Sequence, residues 1–250
     1  MEVVRAASVD SDLDQENRAV EASTAEELIE WASQRFGDKL IASTSFGATS
    51  AVMLHLVSSV APRTPVICVD TGYLFPETYQ FAETLIKRLG LDVRFYSATM
   101  SPARQEALYG RLWEQGDEGV KRYLEINKVE PMQRALRELD ADAWMAGLRS
   151  EQTAHRAGLR RIDRQDGRVK IHPVLDWTSE HMTEYMERFD LPYHPMFEQG
   201  YRSIGDHHST IPTTADMDPR DGRILGKTRE CGLHLPLTEE QNQSLKSSGL

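Results

Sequence analysis

The stretch Leu40-Ile41-Ala42-Ser43-Thr44-Ser45-Phe46-Gly47-Ala48-Thr49-Ser50 decides the fold that the sequence predicts. Its first five residues are typical of a strand, the next six form a loop rich in hydroxyl groups, and the apolar run 51–60 predicts a helix. A loop that leads from a strand into a helix N-terminus presents backbone N–H groups to an anion such as phosphate. The pattern is a weak signal by itself, because many such turns are merely tight.

Strands and helices alternate on the C-terminal side of this stretch. The apolar run 65–69 predicts a strand that is buried on both faces, and Pro76 suits the first position of a helix that ends near Leu89. Two further strands are expected at residues 92–96 and 143–146, with two or three helices between them. This alternation predicts an α/β fold with a mostly parallel, twisted sheet and helices on both faces.

The composition of the chain changes after Arg149. Asp166-Gly167 predicts a hairpin turn whose arms are residues 159–163 and 168–171, and residues 178–189 predict an amphipathic helix. From residue 190 onward, Pro, Gly, His and charged residues predict an irregular tail that is ordered only in part. We therefore expect three parts: a flexible acidic leader over residues 1–20, an α/β domain over residues 21–200, and a mobile C-terminal segment over residues 201–250 that carries Cys231.

The overall composition excludes several classes of protein. The 250 residues are 40% hydrophobic, which is enough for a sizeable core, and the net charge of −10 argues against a general nucleic-acid binder. Two cysteines cannot form a disulfide framework or a four-cysteine zinc or iron–sulfur site, and they fit a reducing cytosol. The sequence has neither the apolar run of a signal peptide nor a stretch long enough to span a membrane. We expect a cytoplasmic protein.

Three predicted strands end in polar loops, at Ser45–Ser50, Asp70–Gly72 and Gly147–Arg149. In an open parallel sheet, ligands bind outside the carboxyl ends of the strands. Residues 149–170 add seven Lys and Arg residues against three Asp and Glu residues. Such a charge cluster usually covers a solvated hairpin, but in a chain of net charge −10 it favours an anion site.

The segment Lys227-Thr228-Arg229-Glu230-Cys231-Gly232-Leu233-His234 places a cysteine beside two cations. A cysteine attacks as its thiolate, and neighbouring positive charge lowers the pKa of the thiol. Two interpretations stay open here: a nucleophile brought to a substrate bound elsewhere, or a free surface cysteine. His234 could tune Cys231, contact a substrate or lie on the surface. Cys68 lies inside an apolar strand and is expected to pack in the core.

Seven short blocks occur in a fixed order between about residue 40 and residue 234. They are Ser43–Gly47, Asp70–Tyr79, Leu112–Gly116, Ile126–Met132, Ala146–Arg149, Tyr193–Pro195 and Arg229–His234. Together they resemble the sulfonucleotide reductases, most closely the thioredoxin-dependent phosphoadenylyl-sulfate (PAPS) reductases of sulfate assimilation. The resemblance implies an adenine-nucleotide α-hydrolase-like fold, a homodimer, and Cys231 as the nucleophile.

Two differences from related families sharpen this resemblance. Related ATP pyrophosphatases carry a lysine and an aspartate in the first loop, where this sequence has Ala48 and Thr49. Reductases that prefer adenylyl sulfate (APS) carry further cysteines for a [4Fe–4S] cluster, and these are absent from the sequence. A cluster-free enzyme acting on the 3′-phosphorylated substrate is therefore implied. A cluster-free APS reductase and a nucleotide-binding redox sensor, in which Cys231 is oxidised, are the alternatives.

The resemblance also implies a reaction, and the candidate cations follow from the negative charge that this reaction must neutralise. Cys231 attacks the sulfate sulfur, adenosine 3′,5′-bisphosphate leaves, and thioredoxin or glutaredoxin supplies the thiol that releases sulfite. The expected catalytic residues are Cys231, Lys128, Lys227, Arg229 and His234. The expected substrate-binding residues are Ser45, Phe46, Gly47, Asp70, Thr71, Gly72, Gly147, Arg149, Arg156, Arg160 and Arg161. Neither a metal nor another cofactor is expected, because two cysteines cannot ligate an iron–sulfur cluster and the adjacent His207 and His208 have a poor spacing for metal ligands.

Overall fold

In the computed structural model, residues 13–214, 216–224, 232–235 and 237 are described. Within this part of the chain, six strands form one sheet in the order β3-β2-β1-β4-β6-β5. The strands are β1 (Leu40–Thr44), β2 (Val66–Asp70), β3 (Val93–Ser97), β4 (Ala143–Ala146), β5 (Ile162–Gln165) and β6 (Arg168–Ile171). All neighbouring strands are parallel except the antiparallel pair β5–β6. The prediction of a mostly parallel sheet is therefore confirmed.

Helices cover both faces of this sheet. They are α1 (residues 13–20), α2 (Ala25–Phe36), α3 (Ser50–Val60), α4 (Pro76–Leu89), α5 (Pro102–Tyr109), α6 (Gly116–Leu124), α7 (Glu130–Glu138), α8 (Ala154–Ala157) and α9 (Ser179–Arg188). Leu40 and Ala42 of β1 pack in a core that α2, α3, α4 and α9 also enter, whereas Ile41 packs in a second core with α7. Successive strand residues point to opposite faces, so one strand contributes to both cores.

The N-terminal leader differs from the prediction. Residues 13–20 are helical, and Leu13 and Val20 are buried in the larger core. The Asn17 amide donates to the carbonyl of Ile162 at 2.7 Å and accepts from its N–H at 3.0 Å. These bonds satisfy backbone groups of β5, an edge strand that otherwise leaves them unpaired. A flexible leader is therefore wrong for residues 13–20, while residues 1–12 lie outside the described part.

The hairpin forms around the predicted turn, but its first arm lies closer to the turn than predicted. Asp166 and Gly167 have φ angles of +53° and +80°, as a two-residue hairpin turn with both central residues left-handed requires. Such a turn fixes the register of the strands, and Gln165 pairs with Arg168. The first arm, predicted at residues 159–163, is therefore β5 at Ile162–Gln165, so that Arg160 and Arg161 precede the strand.

The described residues after residue 190 are irregular, as predicted. Short 3₁₀ turns and isolated bridges replace regular elements there, and Leu74 bridges to Asp206. Asp206, Ser209 and Thr210 are nevertheless buried, which shows that this irregular chain packs against the α/β domain. In the ranges that can be described, no helix combines the length and apolarity needed to cross a lipid bilayer.

Candidate active site

A cavity of about 830 Å³ opens at the carboxyl ends of β1, β2 and β4. Its wall contains residues from each of the three predicted loops and from the irregular chain after residue 190. Of the expected site residues, it is lined by Ser45, Gly47, Thr71, Lys128, Gly147, Arg149, Arg156 and His234. Tertiary structure thus brings together groups that are up to 189 positions apart in the chain. This is where the sheet topology places a ligand site.

The loop after β1 is anchored by Phe46. The Phe46 side chain is fully buried and stacks on Phe95 with a ring-centroid distance of 6.2 Å, so it points into the protein and does not line the cavity. The Thr44 hydroxyl accepts from the Phe46 N–H at 3.1 Å, and Phe46 adopts a φ of +46°. A non-glycine residue in this conformation needs support from its surroundings. Phe46 therefore shapes the loop that presents Ser45 and Gly47.

In the loop after β2, Asp70 and Gly72 fix the turn and Thr71 lines the cavity. Asp70 Oδ1 accepts from the Gly72 N–H at 2.8 Å and from the Tyr79 hydroxyl at 2.7 Å, which fixes the turn. Gly72 has a φ of +74°, and a Cβ there would overlap the Pro102 ring, so glycine is required. Among the described residues, Thr71 lines the cavity while Asp70 and Gly72 do not.

Lys128 is held in the cavity wall by a buried acid that the sequence did not identify. A π-helical stretch, Glu125–Val129, carries Lys128, whose Nζ lies 2.7 Å from Oδ2 of Asp206. The Thr71 hydroxyl donates to Oδ1 of Asp206 at 2.6 Å. Burial opposes ionisation of Asp206, but Lys128 and the hydrogen bonds outweigh it and hold the pKa of this carboxyl well below its usual range. The Asp206 carboxyl is therefore ionised at neutral pH.

Two arginines lie on the side of the cavity near α8 and α9, and both are buried. Arg149 pairs with Glu151 and also donates to the Ser179 hydroxyl at 3.2 Å. Burial lowers the pKa of the Arg149 guanidinium, and Glu151 acts in the opposite direction. Arg156 donates to the side-chain oxygen of Gln152. Charge-assisted contacts of this kind fix the guanidinium groups in place before a ligand arrives.

Arg160 and Arg161 are not brought to the cavity, contrary to the prediction. Arg160 pairs with Asp14 at 2.7 Å, and Arg161 donates to the carbonyls of Val20 and Ser23 at 3.1 and 2.6 Å. Neither is among the described residues that line the cavity. Both precede β5, where α1 and the chain after it dock, and these contacts use the two guanidinium groups to tie the N-terminal region to the domain.

Three arginines that were not predicted lie in the cavity wall, where Arg160 and Arg161 had been expected. Arg202, Arg220 and Arg223 also line the cavity, and Arg223 donates to the carbonyl of Ile204 at 3.0 Å. They lie in the irregular chain 201–224, whose sequence has no periodicity that could have indicated which side chains face inward. The cavity wall therefore contains six Lys and Arg residues within the described part of the chain, Lys128, Arg149, Arg156, Arg202, Arg220 and Arg223. This arrangement suits a ligand with several negative charges.

Leu233 and His234, which follow the predicted nucleophile in the chain, also line the cavity. The His234 ring stacks on the Trp144 ring, with the ring centroids 5.6 Å apart. Nδ1 of His234 lies 3.1 Å from Nζ of Lys170. Burial, reinforced by the Lys170 charge, lowers the pKa of His234, so the imidazole is neutral at pH 7. The predicted catalytic residues Lys227, Arg229 and Cys231 lie outside the described residues.

The other cysteine has the environment that was predicted for it. Cys68 is fully buried in β2, and burial raises the pKa of its thiol far above the usual value. A thiol that stays protonated is a poor nucleophile. His208, for which no role was predicted, stacks on Trp113 with the ring centroids 3.9 Å apart and lies 3.1 Å from the Tyr123 hydroxyl.

Comparison with known families identifies the family of this chain. A family model described as the phosphoadenosine phosphosulfate reductase domain matches residues 39–212, which span all six strands. The chain belongs to the phosphoadenosine phosphosulfate reductase family. The resemblance to the PAPS reductases is thereby confirmed.

Relatives of this reductase family are similar over nearly the whole chain. A phosphoadenosine 5′-phosphosulfate reductase of Synechocystis is 56% identical over 233 residues, which are 92% of this chain and 94% of that protein. A protein of the same name from Thiocapsa roseopersicina is 51% identical over 225 residues, 90% of this chain and 94% of its own length. These alignments include residues on both sides of the family domain.

Solved structures agree on the fold. The crystal structure of the PAPS reductase of Candida auris, in a phosphate complex, has a TM-score of 0.71 and 30% identity, covering 80% of this chain and 96% of that chain. The FMN adenylyltransferase of Candida glabrata has a TM-score of 0.56 at 13% identity, covering 90% and 82%. The second likeness concerns the fold alone, and it agrees with the predicted adenine-nucleotide α-hydrolase-like architecture.

Proposed function

We propose that this protein reduces 3′-phosphoadenylyl sulfate to sulfite and adenosine 3′,5′-bisphosphate, with electrons from thioredoxin or glutaredoxin. The names of its relatives and the cationic cavity at the strand ends support this proposal. The substrate is a mononucleotide with phosphate and sulfate groups, and a cavity of about 830 Å³ has room for it. We also expect a cytoplasmic homodimer that needs neither an iron–sulfur cluster nor a metal.

One observation carries the proposal: Leu233 and His234 share a cavity wall with Lys128 and Arg149. Cys231 precedes Leu233 by two residues. The covalent chain therefore limits the distance between their Cα atoms to at most about 7 Å. A thiol tethered this close to a polyanion site is suited to attack a group bound there.

The reaction proceeds in three steps, and a thiol attacks in each of them. The Cys231 thiolate attacks the sulfate sulfur and forms an S–S bond, while the bond from sulfur to the phosphate oxygen breaks. Its electron pair leaves with adenosine 3′,5′-bisphosphate, and the enzyme retains an S-sulfonate. A thioredoxin thiolate then attacks the Cys231 sulfur, sulfite departs with the electron pair of the S–S bond, and a mixed disulfide forms. The second thioredoxin thiol resolves it, which frees Cys231 and oxidises thioredoxin.

Cations are required because a thiolate approaches an anionic sulfate. Lys128 and Arg149 in the cavity wall, with Lys227 and Arg229 from the C-terminal segment, would neutralise this charge. Arg156 and the cations of the chain 201–224 are the candidates for the 3′-phosphate. Ser45, Gly47 and Thr71 would hold the nucleotide at the strand ends. This division assigns sulfate and 3′-phosphate to different cations.

The decisive experiment measures the intact mass of the protein after incubation with PAPS and without reductant. We expect a gain of one sulfonate group in the wild type and in Cys68→Ser, and none in Cys231→Ser. Cys231→Ser should still bind adenosine 3′,5′-bisphosphate, because the nucleotide groups come from the strand ends. An adduct on Cys68, or sulfite release by Cys231→Ser, would show that the mechanism is wrong.

A competition assay distinguishes the two nucleotide substrates. PAPS and APS are offered at equal concentration with thioredoxin, and the two nucleotide products are quantified. A clear preference for PAPS is expected, because the 3′-phosphate adds roughly −1.5 to −2 charge near neutral pH and meets a cationic wall. Equal use of the two substrates would favour the alternative, an APS reductase without a cluster.

A further inference from the structure

The segment that follows Cys231 lies against the β5–β6 hairpin. The Gln165 side-chain amide donates to the carbonyls of Leu233 and Leu235 at 2.9 and 3.0 Å. The N–H of Leu237 donates to Oδ1 of Asp166 at 2.9 Å. Together with the Lys170–His234 contact at 3.1 Å, these bonds engage four residues of the segment within a span of five positions.

The hairpin side chains that make this contact are buried and are held in place by other residues of the domain. Gln165 is 9% exposed and Lys170 is 4% exposed, and the Gln165 oxygen accepts from the Lys170 ammonium. Lys170 also lies over the Trp144 ring, 4.3 Å from its centroid. The second oxygen of Asp166 accepts from Gln133 of α7 at 3.3 Å, which fixes the carboxylate toward Leu237.

The fold of the hairpin does not by itself explain these polar groups. The turn and the β4–β6 pairing hold the hairpin without a side-chain amide at position 165. A buried amide costs stability unless its N–H groups are hydrogen-bonded. The carbonyls of Leu233 and Leu235 provide acceptors for the Gln165 amide, so the amide at position 165 and the C-terminal segment match each other.

We propose that Gln165, Asp166 and Lys170 form a docking site for residues 233–235 and Leu237, and that Gln165 is a positioning residue for the Cys231 nucleophile. The inference rests on the proposed function, since positioning matters only if Cys231 reacts with a ligand in the cavity. Fixing the chain at Leu233 restricts the volume that the thiolate explores and so raises the frequency of productive approaches. Gln165 acts through the segment and does not itself contact the substrate.

The test uses a substitution that changes only the hydrogen-bonding groups. Gln165→Glu keeps the shape and can still accept from Lys170, but it removes both N–H donors and places a carboxylate beside two carbonyls. Arg164→Ala is the control, because Arg164 is the exposed neighbour on the same strand. Three quantities are compared in the full chain: the single-turnover rate of S-sulfonate formation from PAPS, the Kd for adenosine 3′,5′-bisphosphate, and hydrogen exchange over residues 233–237.

In Gln165→Glu we expect the rate of sulfonate formation to fall about tenfold, which corresponds to about 1.4 kcal/mol. Exchange over residues 233–237 should accelerate, while the Kd for the bisphosphate changes by less than about threefold, because the nucleotide groups stay in place. Arg164→Ala should match the wild type in all three. Faster exchange with an unchanged rate, or unchanged exchange, would overturn the inference.

A second pair of variants covers the case in which Gln165→Glu fails to fold. Leu237→Pro removes the N–H that donates a hydrogen bond to Asp166. Leu237→Ala shortens the side chain but retains this N–H. The difference between these two variants isolates the hydrogen bond, and we expect slower sulfonate formation in the proline variant. Equal rates would count against the docking site. If the wild type forms no S-sulfonate at all, the proposed function fails, and the exchange data alone then report whether the segment docks.

Discussion

Lys128 and Asp206 form an ion pair inside the cavity wall, with Nζ 2.7 Å from Oδ2 and the carboxylate fully buried. The pair joins the π-helical stretch before α7 to the irregular chain after residue 190. Thr71 adds the loop after β2, because its hydroxyl donates to the same carboxylate. One buried acid therefore fixes three cavity elements and holds a candidate catalytic cation in place.

Asp206→Asn should destabilise the protein strongly. Removing one partner of a buried ion pair leaves the other charge uncompensated, and such changes cost about 3–5 kcal/mol. Urea unfolding at pH 7 measures the loss. Asp216→Asn is the control, because Asp216 is exposed and should change stability by no more than about 0.5 kcal/mol. A similar small effect for both variants would contradict a stabilising role of the pair.

The stability that Asp206 contributes should depend on pH with a defined sign. Its pKa in the folded protein lies below that of an unfolded aspartate, which is about 3.9. The contribution is therefore fully present above the unfolded value and is lost as the pH falls toward the folded value. The difference in unfolding free energy between wild type and Asp206→Asn should be constant from about pH 6 to 8 and shrink below about pH 4. A difference that grows on acidification would be inconsistent with this assignment.

Two glycines with similar backbone conformations should respond differently to alanine. Gly72 and Gly90 have φ angles of +74° and +64°, and a left-handed alanine costs about 1–2 kcal/mol at either position. A Cβ at Gly90 meets open space, whereas a Cβ at Gly72 overlaps Pro102. Gly90→Ala should lower Tm by about 2–8 °C, and Gly72→Ala should lower it further. Equal shifts in thermal unfolding would show that the loop relaxes freely.

Arg156 and Arg160 should differ in their effect on nucleotide binding. Arg156 lines the cavity, and Arg160 is paired with Asp14 outside it. A charge-assisted contact contributes about 1.5–3 kcal/mol, so Arg156→Ala should weaken binding of adenosine 3′,5′-bisphosphate at least about tenfold. Arg160→Ala should leave the Kd within about twofold. Calorimetric titration of both variants, with thermal unfolding to verify folding, decides between them, and the reverse order would refute the placement.

The purified protein should contain neither an iron–sulfur cluster nor a stoichiometric metal. Cluster ligation needs several thiolates, and one of the two cysteines is buried in β2 with a raised pKa. Iron analysis and the visible spectrum of protein prepared without oxygen test this expectation. A brown protein with about four irons per chain would exclude it.

Local sequence determined the fold class and most of the elements. Strand β1, the loop after it and α3 follow from hydrophobic periodicity and turn residues, which are read over a few neighbouring positions. The hairpin turn at Asp166-Gly167 follows from the backbone conformations that these two residues tolerate. The family blocks placed Ser45, Thr71, Lys128 and Arg149 near one another, and the cavity contains all four.

Tertiary structure alone decided which charged residues share the cavity. Arg156, Arg160 and Arg161 look equivalent in the sequence, but docking of α1 on β5 draws the last two away. Asp206 and Gln165 carried no local signal, because their partners lie 78 and 68 positions away in the chain. Ion pairs and hydrogen bonds between distant segments depend on how the sheet and its connections bring those segments together. A periodic pattern records only which face of its own element a residue occupies.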